Sequence, residues 1–437
     1  MDCFRRAGCP RSALWVVLGS GSLLSCQAPC AVTASPLGPH TAEIHWAHPS
    51  SSAQLTFGHA GELERTTPLV WADEGWAADL IGLPALSDVY YRLVSDEQTC
   101  DGVFATTNLP ATLPVLSVSK LLPAEMSAER YVVGVVMGAG DALFVLDRLG
   151  QWRWHYQHDP AVLVSDVHLD GREILFNSYD EARIEDIGQV HRIDLAGQTL
   201  ETIRTEGGHH VFAPLPDGGV AFPSVDTRAW VDPKTGEALQ VVGDRILEVA
   251  PDGTVREVFT IWDHEEPVRT DAWDDAFYAF GVDWSHANAL SYHPGRDSYL
   301  LSLGHLEVIY EIDRSSGDVL QRFSADQVIS GSGWTFQHDP NWTEDETLLL
   351  VSHEEGSTWA REYTVDSGLQ EVWSQPGIES GFLGQTRRLS NGNTLINYGG
   401  KGVIREVTPD GEIVWEIEAA LGSWFGNVVL ADALFSL

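Results

Sequence analysis

A repeated two-strand pattern constrains this chain more than any other feature. An apolar alternation, a turn with glycine and a second alternation recur six times. The copies are LFVLDRLGQWRW (Leu143–Trp154), VHRIDLAGQTLETI (Val190–Ile203), ILEVAPDGTVREVF (Ile246–Phe259), VIYEIDRSSGDVLQRF (Val308–Phe323), REYTVDSGLQEVWS (Arg361–Ser374) and VIREVTPDGEIVWEI (Val403–Ile417). Such period-2 runs around a tight turn read as β-hairpins. Before most of them stands a second hairpin with its own turn: LDGREILFNS, LPDGGVAFPS, EDETLLLVSH and SNGNTLINYG. Two hairpins per unit, at a spacing of roughly forty to sixty residues, are the mark of a four-stranded propeller blade. The expectation is an all-β chain with a six-bladed β-propeller over 131–437. RAWVDPKTGEAL (Arg228–Leu239) reads as an insertion in the third blade, and seven blades is the alternative count.

Sixteen Trp, 41 Gly and 21 Pro suit a β-rich chain with many turns. Asp and Glu number 63 against 26 Lys and Arg, a formal net charge of −37. That excess argues against nucleic acid or an anionic membrane surface as partner.

The N-terminus reads as a targeting segment. Arg5, Arg6 and Arg11 precede a short apolar run, Ala13–Leu24. Leu23–Cys26 (LLSC) resembles a bacterial lipobox, which makes residues 1–25 a lipoprotein signal peptide and Cys26 the lipidation site. An ordinary signal peptide cleaved nearby is the other reading. The expected location is the cell envelope, periplasmic or at the cell surface, with the membrane met only through the lipid. Residues 26–40 would be a tether. Cys30 and Cys100 then remain in an oxidising compartment, where a disulfide between them is open.

Residues 41–108 read as alternating strands, and Ile81–Ser95 (IGLPALSDVYYRLVS) resembles the end of an immunoglobulin or fibronectin III-like β-sandwich. Its expected role is a spacer or a homodimerisation module. Residues 109–130 are expected to link it to the propeller.

The first strand of a propeller blade lines the central channel, over which ligands usually sit. Three blades open with histidine at one phase: HHVFAPLPDGG (His209, His210), DWSHANALSY (His286) and FQHDPNW (His338). The repeat therefore brings residues far apart in sequence to one mouth. Neutral imidazoles there suit either a transition metal or nucleophilic chemistry, with the remaining rings holding anionic oxygens. No Gly-rich strand-to-helix loop for a nucleotide cofactor is present, and no cofactor is expected.

These motifs, with IYEIDRSSGDVL, REYTVD and RRLSNGNTLINYGGKGVIREVTPDGEIVWE, make the chain resemble the bacterial arylsulfotransferase family from about Tyr131 to Glu418. The resemblance implies an exported six-bladed propeller behind an N-terminal β-sandwich. It implies a channel histidine that attacks the sulfur of a small aryl sulfate, and a phenol that takes the sulfuryl group from the resulting sulfohistidine. The family's QHD motif places the nucleophile at His338. Its HHD-like and HxN motifs place the partner histidines at His210 and His286, His210 being preferred to His209 by its distance from Leu215.

This sequence departs from the family in one place that matters chemically. The family has a sulfate-gripping arginine in an SSRHLN-like strand, where LSLGHLEV puts Gly304 here, and HHD has become HHV. His305 is the neighbouring candidate, but on a strand it would point away. Two further readings stay open: a non-catalytic ligand- or protein-binding propeller, and a metal-dependent propeller hydrolase or lyase. The acidic run Asp263–Trp284 would supply carboxylates for a metal, or else form a solvated loop whose aromatic residues shape an aryl pocket.

Overall fold

The computed structural model describes residues 30–434 apart from 60–62, 73–74, 139, 160, 181–182, 185–187, 271–272 and 367. The expected signal peptide and Cys26 lie outside the described residues. Regular structure among the described residues is strand, joined by turns and short 3-10 segments. No described helix is long and apolar enough to cross a membrane.

The N-terminal strands make two facing four-stranded sheets. Val32–Pro36, Thr41–Trp46, Gly75–Ile81 and Val70–Ala72 form one; Arg65–Thr67, Gln54–His59, Asp88–Val94 and Thr99–Ala105 form the other. Along Asp88–Val94 every second side chain is buried, as strict alternation requires. Ile44, Trp46 and Leu80 meet Phe57, Val89 and Leu93 in the core between the sheets. Two boundaries differ from expectation. Val32–Pro36, expected within the tether, pairs with Thr41–Trp46. TTPLVWA divides at Pro68, which has no N–H to give a ladder, so its halves join opposite sheets. A disulfide joins Cys30 to Cys100.

Six further sheets, each of at least four strands, surround a channel. Their inner strands are Ser423–Ala431, Val167–Asp170, Ala213–Pro214, Ala287–His293, His338–Trp342 and Gln385–Arg388. The six repeated hairpins form the outer strand pairs. The ring closes through its first sheet, where Ser423–Ala431 pairs with Tyr131–Gly138. Leu116–Leu121, expected in the linker, adds a fifth strand to the last sheet.

Arg228–Leu239 is not a separate hairpin. Val220–Val231 and Ala238–Val249 are two twelve-residue strands, and the segment is their far end. Asp274–Tyr278 and Gly281–Asp283 pair with each other and dock on that extension in parallel register. Part of the acidic run Asp263–Trp284, expected as a loop, is therefore sheet.

Polar side chains near the channel stitch each sheet to the next. Asp166 accepts from Asn427 Nδ2 at 2.8 Å and from the Phe212 amide at 2.9 Å, spanning three sheets. Asp244 accepts from the Ala287 amide at 2.8 Å, and Asn288 Nδ2 donates to the Gln337 carbonyl at 2.9 Å. Asp339 accepts from the Thr386 amide at 3.1 Å, and Gln385 Oε1 from the Val428 amide at 2.8 Å. Each is buried, where an unmade hydrogen bond costs about 1–3 kcal/mol.

Candidate functional site

The chain enters four inner strands through a backbone conformation that L-residues avoid. His210, His286, Phe336 and Leu383 have φ of 57°, 52°, 41° and 59°, each within three residues of an inner strand. A left-handed non-glycine residue costs about 1–2 kcal/mol, and such strain gathers at functional sites. All four residues line one cavity of about 470 Å³ at the channel mouth.

His210, His286 and His338, drawn from the third, fourth and fifth sheets, line this cavity together. A fourth histidine, His305, joins them. Tyr179, Phe277, Phe336, Phe382 and Trp424 contribute aromatic walls. Phe277 comes from the acidic run, whose aromatic residues were expected to shape a pocket.

Buried carboxylates stand behind the rings. Asp244 Oδ1 is 2.9 Å from His209 Nε2, and His209 Nδ1 is 2.7 Å from His210 Nδ1. Burial works to raise the Asp244 carboxyl, but bonds from His209, Ser285 and Ala287 outweigh it and hold it low. Asp283 Oδ2 is 2.6 Å from His286 Nδ1. Asp283 Oδ1 is buried with no hydrogen-bond partner among the described residues. These pairs fix ring orientation as outer-shell carboxylates do elsewhere.

His338 is different. Its Nδ1 is buried with no hydrogen-bond partner among the described residues. Burial, then the nearby His353, push its pKa down to about 3, against the backbone of Gly384. Burial, followed by His209, His286, His338 and His305, holds His210 well below the ordinary histidine range. Burial thus favours the neutral ring of His338, which leaves one of its nitrogens unprotonated.

Gly304 does not leave a simple vacancy. A Cβ built there meets Asn288 Nδ2 at 2.7 Å and Phe336 Cε2 at 3.1 Å. Gly304–Leu306 form a 3-10 turn rather than a strand, ended by Glu307 at φ 53°. The expectation that His305 points away fails for that reason: strand alternation does not apply within a turn. His305 instead stacks on His286 with ring centroids 4.6 Å apart.

Sequence reasoning set His305 aside as pointing away, took Asp283 only as part of the acidic run, and did not single out Asp244. Asp283 had a visible signal, standing three residues before His286 in DWSH. Asp283, His286 and His305 also offer ligand atoms within 4.8 Å of one another. Among the described cavity-lining residues no Lys or Arg occurs.

Comparison with known proteins adds the family. No curated protein matches the chain. Solved structures similar to it include a protein of unknown function from Bacteroides caccae, 17% identical over 70% of this chain and 100% of that one, with a TM-score of 0.43. A streptogramin B lyase is 12% identical over 74% and 100%, with a TM-score of 0.41. A catalytically inactive variant of virginiamycin B lyase from Staphylococcus aureus is 13% identical over 72% and 100%, with a TM-score of 0.37. Likeness at that level says nothing about what this chain binds. The family model for arylsulfotransferase (ASST) matches residues 122–359, more than half of the chain and the stretch that carries all four cavity histidines. The chain belongs to the arylsulfotransferase family.

Proposed function

We propose that the protein moves a sulfuryl group from a small aryl sulfate to a phenolic acceptor through a sulfohistidine at His338. One observation carries this reading: three histidines at equal phase in successive sheets converge on one aromatic-walled cavity. The cavity-facing nitrogen of His338 attacks sulfur, the N–S bond forms and the S–O(aryl) bond breaks. The departing aryl oxide keeps the bonding pair and takes a proton from His286. A phenol then attacks the sulfur and returns its proton to that imidazole, and the N–S bond breaks to restore His338. The aromatic walls hold the ring of donor and acceptor in turn.

Incubation with 4-nitrophenyl sulfate and phenol tests the reading. Phenol-dependent release of nitrophenol, lost in His338→Ala, is the expected result. A folded protein that turns over no aryl sulfate would instead favour a binding role, for which the lack of a Lys or Arg among the described cavity-lining residues speaks. Activity removed by a chelator and restored by metal would favour a metallo-hydrolase or lyase. We also place the protein in the cell envelope, attached through Cys26. Labelling with a radioactive fatty acid that persists in Cys26→Ala would disprove the attachment.

A further inference from the structure

We propose that the Asp339–Arg387 ion pair is the clamp that aims His338, which makes both of them positioning residues of the site. Its kinetic consequence rests on the sulfuryl-transfer reading above; its structural basis does not. From His338 to Asn341 the inner strand advances three residues while its partner, from Val351 to Leu349, advances two. The extra residue is a β-bulge, a feature that re-aims a side chain beside a site. His338 lines the histidine cavity, whereas Asp339 lines a second cavity of about 440 Å³ in the channel. Neighbours in sequence thus face different cavities, and Asp339 takes φ 50°, a conformation that favours glycine.

The sixth sheet supplies what holds that bend. Its inner strand, Gln385–Arg388, and the residue before it meet both members of the pair. The Gly384 backbone faces the His338 ring. Arg387 Nη1 donates to Asp339 Oδ2, Nη2 donates to Oδ1 at 3.0 Å, and the Thr386 amide donates to Oδ2 at 3.1 Å. Asn341 Nδ2 closes the bulge, donating to the Asp339 carbonyl at 3.1 Å and to the Thr386 carbonyl at 3.0 Å. A bidentate guanidinium fixes a carboxylate in angle as well as distance, and here it does so from the strand whose entry abuts the ring. Burial raises the Asp339 carboxyl, with Arg387 the largest influence against it. The buried carboxylate therefore depends on that guanidinium.

The test combines kinetics on 4-nitrophenyl sulfate and phenol with NMR of the histidine rings, the signals of His338 and His155 being assigned by their loss in His338→Gln and His155→Gln. Arg387→Ala should lower kcat about 100-fold, the loss that a misplacement of about 1 Å brings, with KM within about twofold of wild type. Arg387→Lys, which keeps the charge without the fork, should recover only part of the loss. Arg387→Ala strands a buried carboxylate, so Asp339→Gly is the companion variant. Glycine takes the left-handed conformation unaided, and only the part-exposed Arg387 is left unpaired. Asp339→Gly should fold, lose kcat to the same extent and shift the His338 signal, while that of His155, in the first propeller sheet, stays in place. Asp339→Asn, which keeps an accepting oxygen, should fall between. Asp339→Gly protein with wild-type kcat, or with an unmoved His338 signal, overturns the clamp and leaves the sulfuryl-transfer reading standing. Signals of His155 and His338 that shift together also overturn it, in favour of a plain packing role. Wild-type protein that turns over no aryl sulfate sinks that reading instead, and the His338 signal then decides the clamp by itself.

Discussion

His209 Nδ1 stands 2.7 Å from His210 Nδ1, with Asp244 Oδ1 2.9 Å from the far side of the His209 ring. Only one hydrogen fits between two facing Nδ1 atoms, so the carboxylate fixes the protonation of both rings. With Asp244 ionised, His209 holds its proton at Nε2 and accepts at Nδ1 from His210. Asp244→Asn should lower kcat for aryl sulfate turnover about 10–100-fold, the usual range for a lost outer-shell partner. His209→Gln should lower it similarly while sparing the bonds from Asp244 to Ser285 and Ala287. Steady-state kinetics with melting curves on both variants check the assignment.

Stability should fall in mild acid, and the buried histidines give the sign. The pKa of His338 is depressed to about 3 and that of His40 to about 4, in each case mainly by burial. A depressed base stays neutral when folded but gains a proton in the unfolded chain, whose histidines titrate near 6.5. Its contribution is therefore whole above about 6.5 and is lost as pH falls towards the folded value. Each such group adds a slope of up to about 1.4 kcal/mol per pH unit in that window. Urea unfolding at pH 7 and pH 5 reads the combined loss, and His338→Gln should remove one group's share.

Phe336 combines a strained backbone with a wall of the cavity. In Phe336→Gly the relief of the left-handed conformation, about 1–2 kcal/mol, should offset much of the lost packing of a half-buried ring. The unfolding midpoint is expected to stay nearly constant while the affinity for 4-nitrophenyl sulfate falls about tenfold. A parallel fall of both would mean that the ring serves packing alone.

The Cys30–Cys100 bridge joins residues 70 apart in sequence. A loop of that length is worth about 4 kcal/mol in the chain-entropy account, and measured values are commonly about 2–4. Cys100→Ser should destabilise the N-terminal sandwich by that amount and leave aryl sulfate binding unchanged, since neither cysteine lines the cavity. Thermal melts in the presence and absence of reductant make the comparison.

What was legible in the sequence follows from how local each signal is. The outer hairpins of all six propeller sheets were readable, because alternation and a glycine turn are properties of a dozen neighbouring residues. The three phase-matched histidines were readable for the same reason, and the structure sets His210, His286 and His338 around one cavity. Their roles in catalysis await the kinetic tests above. Val32–Pro36 and Leu116–Leu121 were missed because a short edge strand is defined by a partner distant in the chain. His305 was misread because GHL carries no mark that separates a 3-10 turn from a continuing strand. Gln337 and Asp339, which flank His338, turn out to tie sheets together rather than to face the cavity.

The strand that closes the ring has a consequence for when the protein can act. Met137 and Trp424 lie opposite each other in that pairing, and both line the histidine cavity. The clasp is thus also a wall of the site, made from residues near the two ends of the propeller. A chain that has not yet paired Ser423–Ala431 with Tyr131–Gly138 has its histidines but lacks one wall of the chamber around them. Completion of the pocket therefore waits on the strand that closes the ring.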